Sequence, residues 1–414
     1  MTPRPDVVVT GLGAFSPIGA DAPTTWEAAL AGTSGARTLD NDWSEKYGIP
    51  VTFAATVVGD VNERLARPEI KRMDPSAQYA VIAAREAWAD AGSPEVDPVR
   101  LGAVVSSGIG GIHTTLDGWD VLRERGARRV LPTTVPMLMP NSPSAYVSLD
   151  LGAQAGAHAL VSACASGAEA IGYAVDMIRA GRADVVVAGG TEAVIHPMPV
   201  AAFAASRTLS LRNDDPAHAS RPYDVDRDGF VIGEGSAVLV LESAEHAAAR
   251  GARVYAKLAG VGLSADGYHI TSPEPTGKGQ IRAMEMALAD AGASVRDVVH
   301  VNAHATSTMV GDMIEARAIR HLFASEADHV ALSATKSMTG HLLGGAGALE
   351  TLFTVRAVAD RVAPPTINVE NPEPDLEVPL VRDTPAQLPD GDVAALNNSF
   401  GFGGHNVALI VTNA

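Results

Sequence analysis

Cys164 is the only cysteine in the chain, and its surroundings suit a nucleophile. It ends the apolar run Ala159-Leu-Val-Ser-Ala163 and opens Ala165 to Ile178, whose apolar spacing predicts a helix. The sulfur is therefore expected at a strand-to-helix turn, where unpaired N–H groups and the positive helix end stabilise a thiolate. A free cysteine is also commonly a small buried hydrophobe, so this context alone leaves both readings open. Two histidine loops add weight. Val301-Asn-Ala-His304-Ala-Thr-Ser-Thr308 and Lys336-Ser-Met-Thr-Gly-His341 each follow a predicted strand, and α/β active sites collect at strand exits. One thiol, two histidines and the adjoining Lys336 suit nucleophilic chemistry in which negative charge develops on a thioester oxygen. The run Asn397-Asn-Ser-Phe-Gly-Phe-Gly-Gly-His-Asn406 is either a plain glycine turn or a loop whose N–H groups approach a ligand as an oxyanion hole.

Two other motifs fail. Gly11-Leu-Gly13 follows a strand, but Ser16 occupies the third glycine position of a dinucleotide fingerprint and Pro17 comes next. Asp224-Val-Asp-Arg-Asp228-Gly229 begins like a calcium loop, yet Gly235 stands where the bidentate glutamate belongs. No metal site is expected.

The elements that must position these groups occur twice. An alanine-rich helix ending Ala89-Asp-Ala-Gly92 leads into a strand Leu101–Val105 and the turn Ser106–Gly111. A second, ending Ala289-Asp-Ala-Gly292, leads into Val298–Asn302 and the His304 loop. A weaker correspondence pairs His158 to Cys164 with His329 to Thr335. Helix, glycine stop, strand and site loop recur in order, which predicts a duplicated α/β architecture. The halves are expected over residues 1–252, carrying the cysteine, and 253–414, carrying both histidines. Pro364-Pro365 and Asn371 to Pro379 read as surface connections.

With 414 residues, 46% of them hydrophobic, the chain exceeds the size of a single core. One cysteine excludes an internal disulfide and fits a reducing cytoplasm. The start lacks the apolar core of a signal peptide, and no apolar stretch reaches the ~20 residues of a membrane span. A net charge of −17 argues against nucleic acid and anionic membranes as partners. An acidic partner needs a local basic patch.

Val161-Ser-Ala-Cys164-Ala-Ser-Gly, Asn302-Ala-His304-Ala-Thr-Ser-Thr, Lys336-Ser-Met-Thr-Gly-His341 and Asn398-Ser-Phe-Gly-Phe-Gly-Gly, in that order, resemble the signature blocks of the β-ketoacyl-acyl-carrier-protein synthases, closest to type II. The resemblance spans essentially the whole chain. It implies an α/β thiolase-like fold, two βαβαβαββ halves forming a five-layered αβαβα core, as a homodimer. It implies a fatty-acid-elongating acyltransferase that condenses an acyl chain on Cys164 with malonyl-acyl-carrier protein. His304 and His341 then stabilise the enolate, the N–H groups of Cys164 and Phe402 form the oxyanion hole, Lys336 organises the histidines with Glu350, and Phe402 gates the site. Gly108, Ile109 and Phe203 would line the acyl tunnel, with His269 and Thr271 near the pantetheine arm. Arg67, Lys71, Arg72, Arg128, Arg129 and Arg207 are the candidate carrier-protein docking patch. No cofactor of its own is implied, because the phosphopantetheine belongs to the carrier protein. Ala305, His405 and Thr133-Thr134 depart from the family pattern without removing a catalytic group. The rivals are a polyketide ketosynthase, whose cysteine block typically carries threonine where Ala165 stands; a degradative thiolase, which needs a second cysteine; and a non-catalytic chain-length subunit, which lacks the nucleophile.

Overall fold

The structure, a computed structural model, describes residues 4–414. Its centre is ten hydrogen-bonded strands: β1 (Val7–Phe15), β2 (Leu101–Ser106), β3 (Gly156–His158), β4 (Val185–Glu192), β5 (Gly235–Ser243), β6 (Ala256–Ala265), β7 (Val298–Asn302), β8 (Ala331–Ser333), β9 (Ala394–Gly401) and β10 (His405–Thr412). They run β3-β2-β4-β5-β1-β6-β10-β9-β7-β8. The order is a palindrome when each strand n is matched with n+5. Within each half the last strand pairs antiparallel with both of its neighbours, and the remaining pairings are parallel.

The helices that position the site are α1 (Pro75–Asp90), α2 (Ile112–Arg125), α3 (Ser142–Leu151), α4 (Ser166–Arg179), α5 (Pro197–Ala205), α6 (Lys278–Ala291), α7 (Gly311–Phe323) and α8 (Ala346–Asp360). Leaving aside α2 and α5, each half reads βαβαβαββ. The two half-sheets meet only where Val8 and Val9 of β1 face Lys257 and Ala256 of β6. They fold over a shared middle layer: α4 packs on β2, β4 and β10, while α8 packs on β4, β5, β9 and β10. Helices α1 and α3 cover the outside of one half-sheet, and α6 and α7 cover the other. The result is the expected five layers.

Strand alternation shows why the strands read as continuous apolar runs. Val186, Ala188, Leu239 and Leu241 face the middle layer, whereas Val185, Val187, Val238 and Val240 face α1. In the second half Val407, Leu409 and Val411 face inward and Ala408 and Ile410 face α6. A strand covered on both faces shows no polar period.

The repeat extends to atomic detail that the sequence reading did not include. Strand β1 has a register shift between Val9 and Gly11, and the N–H of Leu12 donates to Asp90 at 2.9 Å. Strand β6 shifts at the equivalent place, and the N–H of Val261 donates to Asp290 at 3.0 Å. The aspartates of the two Ala-Asp-Ala-Gly motifs thus each satisfy a backbone donor freed by a bulge. Two expectations need correction. Pro364 and Pro365 are buried, not a surface connection, since the Pro364 carbonyl accepts from Ser333 inside the second half. Strand β3 also stops at His158, so the run Ala159–Ala163 is not strand; it has left the sheet edge to make the turn that carries the cysteine.

Candidate active site

Cys164 sits in the single turn Ala163–Ala165 ahead of α4. Ala163 has a left-handed backbone, φ 52°, which is strained for a residue with a side chain. The Ser166 hydroxyl braces the turn by donating to the Ala163 carbonyl at 2.7 Å and accepting from the Ser162 N–H at 3.0 Å. The end of β9 packs directly on it. A Cβ at Gly401 would lie 2.5 Å from the Ser162 carbonyl oxygen and 3.1 Å from the Cys164 nitrogen, so only glycine permits this approach. The closeness aims the Phe402 N–H at the sulfur, beside the N–H of Cys164 itself.

The expected lowering of the thiol pKa does not hold. Burial pushes Cys164 up to about 11, and Lys336 and the two N–H groups offset this only in part. The helix proper starts at Ser166, two residues past the sulfur. The resting group is a thiol.

His304 follows β7. Its N–H and that of Ala305 donate to the two Glu315 oxygens at 2.8 and 2.7 Å, and the Asn398 amide donates to the same carboxylate at 3.1 Å. His341 is held by backbone bonds on both sides, its N–H to the Val231 carbonyl at 2.8 Å and its carbonyl from the Gly233 N–H at 2.9 Å. The two rings meet edge to face with centroids 5.3 Å apart. Phe230 stands edge-on to His341 at 5.4 Å, and Phe400 lies 5.9 Å from His304.

Lys336 lies beneath the histidines, 1% exposed, with its ammonium 3.3 Å from His304 Nδ1 and paired with the equally buried Glu350. An ammonium only donates, so Nδ1 of His304 accepts and the ring proton is on Nε2. Burial, with Lys336 and His341 adding to it, holds His304 well below the usual imidazole range. Burial and Lys336 do the same to His341. Both rings are neutral at pH 7 and suited to donating a hydrogen bond. Burial pushes the Glu350 carboxyl up to about 7 against the pull of Lys336.

Cys164, His304 and His341 line one pocket with Gly108, Ile109, Phe203, Thr271 and Phe402. Its apolar part is made by Ile109, Phe203, Phe230 and Leu343, with Phe203 and Phe230 edge to face at 5.4 Å, and its polar groups by Asp266, Thr271, Thr306 and Thr308. Phe402 is 38% exposed. His269 is outside the lining and braces the loop, accepting from the N–H groups of Thr271 and Ser272 at 3.2 Å each. The docking candidates are all exposed and fall in three stretches of the chain. Arg207 adjoins the pocket-lining Thr208, Arg128 and Arg129 follow α2, and Arg67, Lys71 and Arg72 lie on the short helix 67–70 and just after it, before α1. Glu192 and Glu315, both pocket-lining, were missed. A faint signal existed for each: Glu192 is the one charge in the β4 run VVVAGGTE, and Glu315 falls on the buried face of α7 with Ile319.

The fold and a cysteine–histidine–histidine pocket define a class, the condensing, acyl-transferring enzymes of the thiolase-like fold. The model of the N-terminal domain of beta-ketoacyl synthase matches residues 4–247, and that of the C-terminal domain matches 255–370. The chain belongs to the β-ketoacyl synthase family, type II. The 3-oxoacyl-[acyl-carrier-protein] synthase 2 of Staphylococcus aureus strain N315 is 44% identical over 413 residues, covering 99% of both chains. That of Mycobacterium bovis is 43% identical over 406 residues, 98% of this chain and 96% of its own. Among solved structures, a beta-ketoacyl synthase from Burkholderia phymatum aligns with TM-score 0.90 at 34% identity over 99% of this chain and all of the other. A type II polyketide ketosynthase solved with its acyl-carrier protein and bound to the hexaketide aligns with TM-score 0.91 at 30% identity over both full chains.

Proposed function

We propose that the protein elongates acyl chains by two carbons in fatty-acid synthesis, taking both substrates from acyl-carrier proteins. The observation that carries this reading is that Cys164 and two neutral histidines line one pocket together with the apolar side chains of Ile109, Phe203, Phe230 and Leu343. In the first half-reaction the Cys164 sulfur attacks an acyl thioester. The oxygen, negative as the tetrahedral adduct forms, receives the N–H groups of Cys164 and Phe402. The C–S bond to the carrier breaks, the carrier thiol leaves with the proton that Cys164 gave up, and the chain rests against the apolar side chains.

In the second half-reaction a malonyl thioester occupies the pocket beside its polar groups. Its carboxylate leaves as CO2, and the electron pair of the broken C–C bond moves into an enolate whose oxygen accepts from Nε2–H of His304 and from His341. The enolate carbon attacks the acyl-cysteine carbonyl. The C–S bond breaks, the β-ketoacyl chain stays on the carrier, and the cysteine recovers a proton from solvent. Lys336 touches neither substrate in this scheme; it fixes the His304 tautomer. No cofactor is required of the protein itself, the phosphopantetheine arriving with the carrier.

A fatty-acid role is favoured over a polyketide one by the 44% identity to 3-oxoacyl synthases against 30% to the polyketide ketosynthase. We place it in the cytoplasm as a homodimer. Strand β3 ends the sheet order with a free edge, and α2 buries none of its residues while exposing Trp119 and Leu122, as a face covered by a second copy would.

The test is mass spectrometry after incubation with acyl-carrier protein, which is expected to place the acyl mass on the Cys164 peptide. Cys164→Gln should abolish condensation while still releasing CO2 from malonyl-carrier protein, and His304→Ala or His341→Ala should lower that release by about two orders of magnitude or more. An acyl group on Ser166, or wild-type CO2 release by either histidine variant, would refute the assignment.

A further inference from the structure

One buried carboxylate ties together two loops that pack directly against each other beside the cysteine, a Cβ at Gly344 lying only 3.0 Å from the Gly108 Cα. Glu192, fully buried at the end of β4, accepts from the Ser107 hydroxyl at 2.6 Å and from the N–H groups of Gly108 at 2.9 Å, Ile109 at 3.3 Å and Gly344 at 3.0 Å. The Ser107 hydroxyl, its O–H directed at Glu192, accepts in turn from the Gly110 N–H at 2.8 Å. Three successive backbone donors, 108 to 110, thus end on one anion and its relay. Such a ring of N–H groups is a nest for negative charge. Ser107 to Gly110 belong to the first half of the chain and Gly344 to the second, so the carboxylate also joins the halves beside Cys164.

The neighbouring glycines are fitted to this contact. A Cβ at Gly108 would lie 2.9 Å from Glu192 Oε2 and one at Gly344 2.8 Å from the same oxygen. Any side chain there would hold the backbone away from the carboxylate. Immediately beyond these donors, Ile109 and Leu343 enter the apolar part of the pocket with Phe203 and Phe230, and α2 starts at Ile112.

We propose that Glu192 is the positioning residue of the acyl-chain pocket, holding the Gly108–Ile109 turn against the Gly344 loop and so setting which acyl chains are accepted at Cys164. The inference rests on the reading that Cys164 is the acylated nucleophile. Burial pushes the Glu192 carboxyl up to about 7, so the four donors offset the cost of burying its charge only in part, and only in this one arrangement of the loops. Glutamine has nearly the same shape but a single acceptor oxygen, and it turns an NH2 group toward groups that also donate. Glu192→Gln therefore frees the turn without opening a cavity. Glu86 provides the comparison: it is a part-buried carboxylate accepting from the N–H groups of Ala14 at 2.8 Å and Ala22 at 2.7 Å, and it does not line the pocket.

The experiment follows initial acylation of Cys164 by intact-protein mass spectrometry, using acyl-carrier proteins loaded with a short or a long straight chain. Losing one or two buried hydrogen bonds at the pocket wall should move the long-to-short rate ratio of Glu192→Gln about tenfold from wild type. Ser107→Ala, which keeps the carboxylate but cuts the relay to Gly110, should shift the ratio the same way by less. Glu86→Gln should lower stability and leave the ratio alone. Equal loss with both chains in Glu192→Gln, or an equal shift in Glu86→Gln, overturns the proposal and leaves Glu192 a structural acid. If Glu192→Gln does not fold, an unchanged ratio in Ser107→Ala overturns it. Failure of wild-type protein to acylate Cys164 with either chain would instead strike the nucleophile assignment, and the inference with it.

Discussion

At the scale of single residues, the site depends on a buried positive charge whose partners are both functional. Lys336 balances Glu350 and directs the His304 proton to Nε2. Removing one member of such a pair leaves the other buried and uncompensated, at a cost of about 3–5 kcal/mol, whereas replacing both by apolar groups is often neutral. Lys336→Met is therefore expected to lower stability by that order in a denaturant titration and to suppress CO2 release from malonyl-carrier protein. The double variant Lys336→Met with Glu350→Leu should recover most of the stability and none of the decarboxylation, because Nδ1 of His304 has lost its donor. Recovery of both would show that Lys336 serves only the fold. Lys336, like Cys164 and the two histidines, was legible in the sequence because it stands in a short motif between elements, whereas Glu350, inside α8, entered only through the family resemblance. Glu192 and Glu315 were much less so, since most of their partners are backbone N–H groups, of distant loops for Glu192 and of the preceding His304 loop for Glu315, and such groups leave no mark on residue type.

At the scale of elements, the repeat rests on helices lying unusually close to the first strand of each half. In β1 a Cβ at Gly11 would be inside contact distance of the Ala87 carbonyl oxygen and 2.8 Å from the Ala91 Cβ. In β6 a Cβ at Gly260 meets the Ala287 oxygen likewise and the Ala291 Cβ at 2.8 Å. Because the obstacle is the helix backbone, the strain cannot be relieved by rotating a side chain. Gly260→Ala is expected to destabilise by about 1–3 kcal/mol or more. Gly118→Ala, in α2 with its nearest neighbour the Thr134 methyl at 3.4 Å and no positive φ, should be neutral or stabilising, since alanine is the better helix former. If chemical denaturation showed equal losses, close approach would not be the reason for the glycine. The duplicated helix ends were visible in the sequence as Ala-Asp-Ala-Gly. The matching glycines in the strands were not, because Gly11 read as a fragment of a nucleotide fingerprint and Gly260 stands in no motif. The strand before Cys164 was overextended for a related reason: apolar character continues through Ala159 to Val161, while the sheet edge and the left-handed turn at Ala163 depend on tertiary neighbours.

At the scale of the whole molecule, the charge of −17 conflicts with the proposed use of two acidic carrier proteins per cycle. Local attraction resolves this if cations stand near the pocket opening, because exposed charges are screened beyond a Debye length of ~8–10 Å at near-physiological salt. Arg207 is the candidate that adjoins the pocket, exposed and next to the pocket-lining Thr208. Lys71 and Arg72 do not line the pocket and lie beside α1 and α3, where Tyr146 of α3 donates to the Arg72 carbonyl, so within one protomer they form a separate patch. Arg207→Glu should consequently raise the KM for acyl-carrier protein about tenfold or more while leaving turnover at saturation nearly intact, with little effect on a small acyl-pantetheine thioester that carries no protein charge. Added salt should weaken carrier binding by the wild type and narrow the gap between the two enzymes. Lys71→Glu, measured in parallel, separates two arrangements: a comparable KM effect means that this patch also meets the carrier, as it would if the second copy of a homodimer presented it near the first copy's opening, and no effect confines docking to the Arg207 side. Equal losses with carrier-borne and small thioesters would show that Arg207 supports the pocket wall through Thr208 and does not form the docking surface.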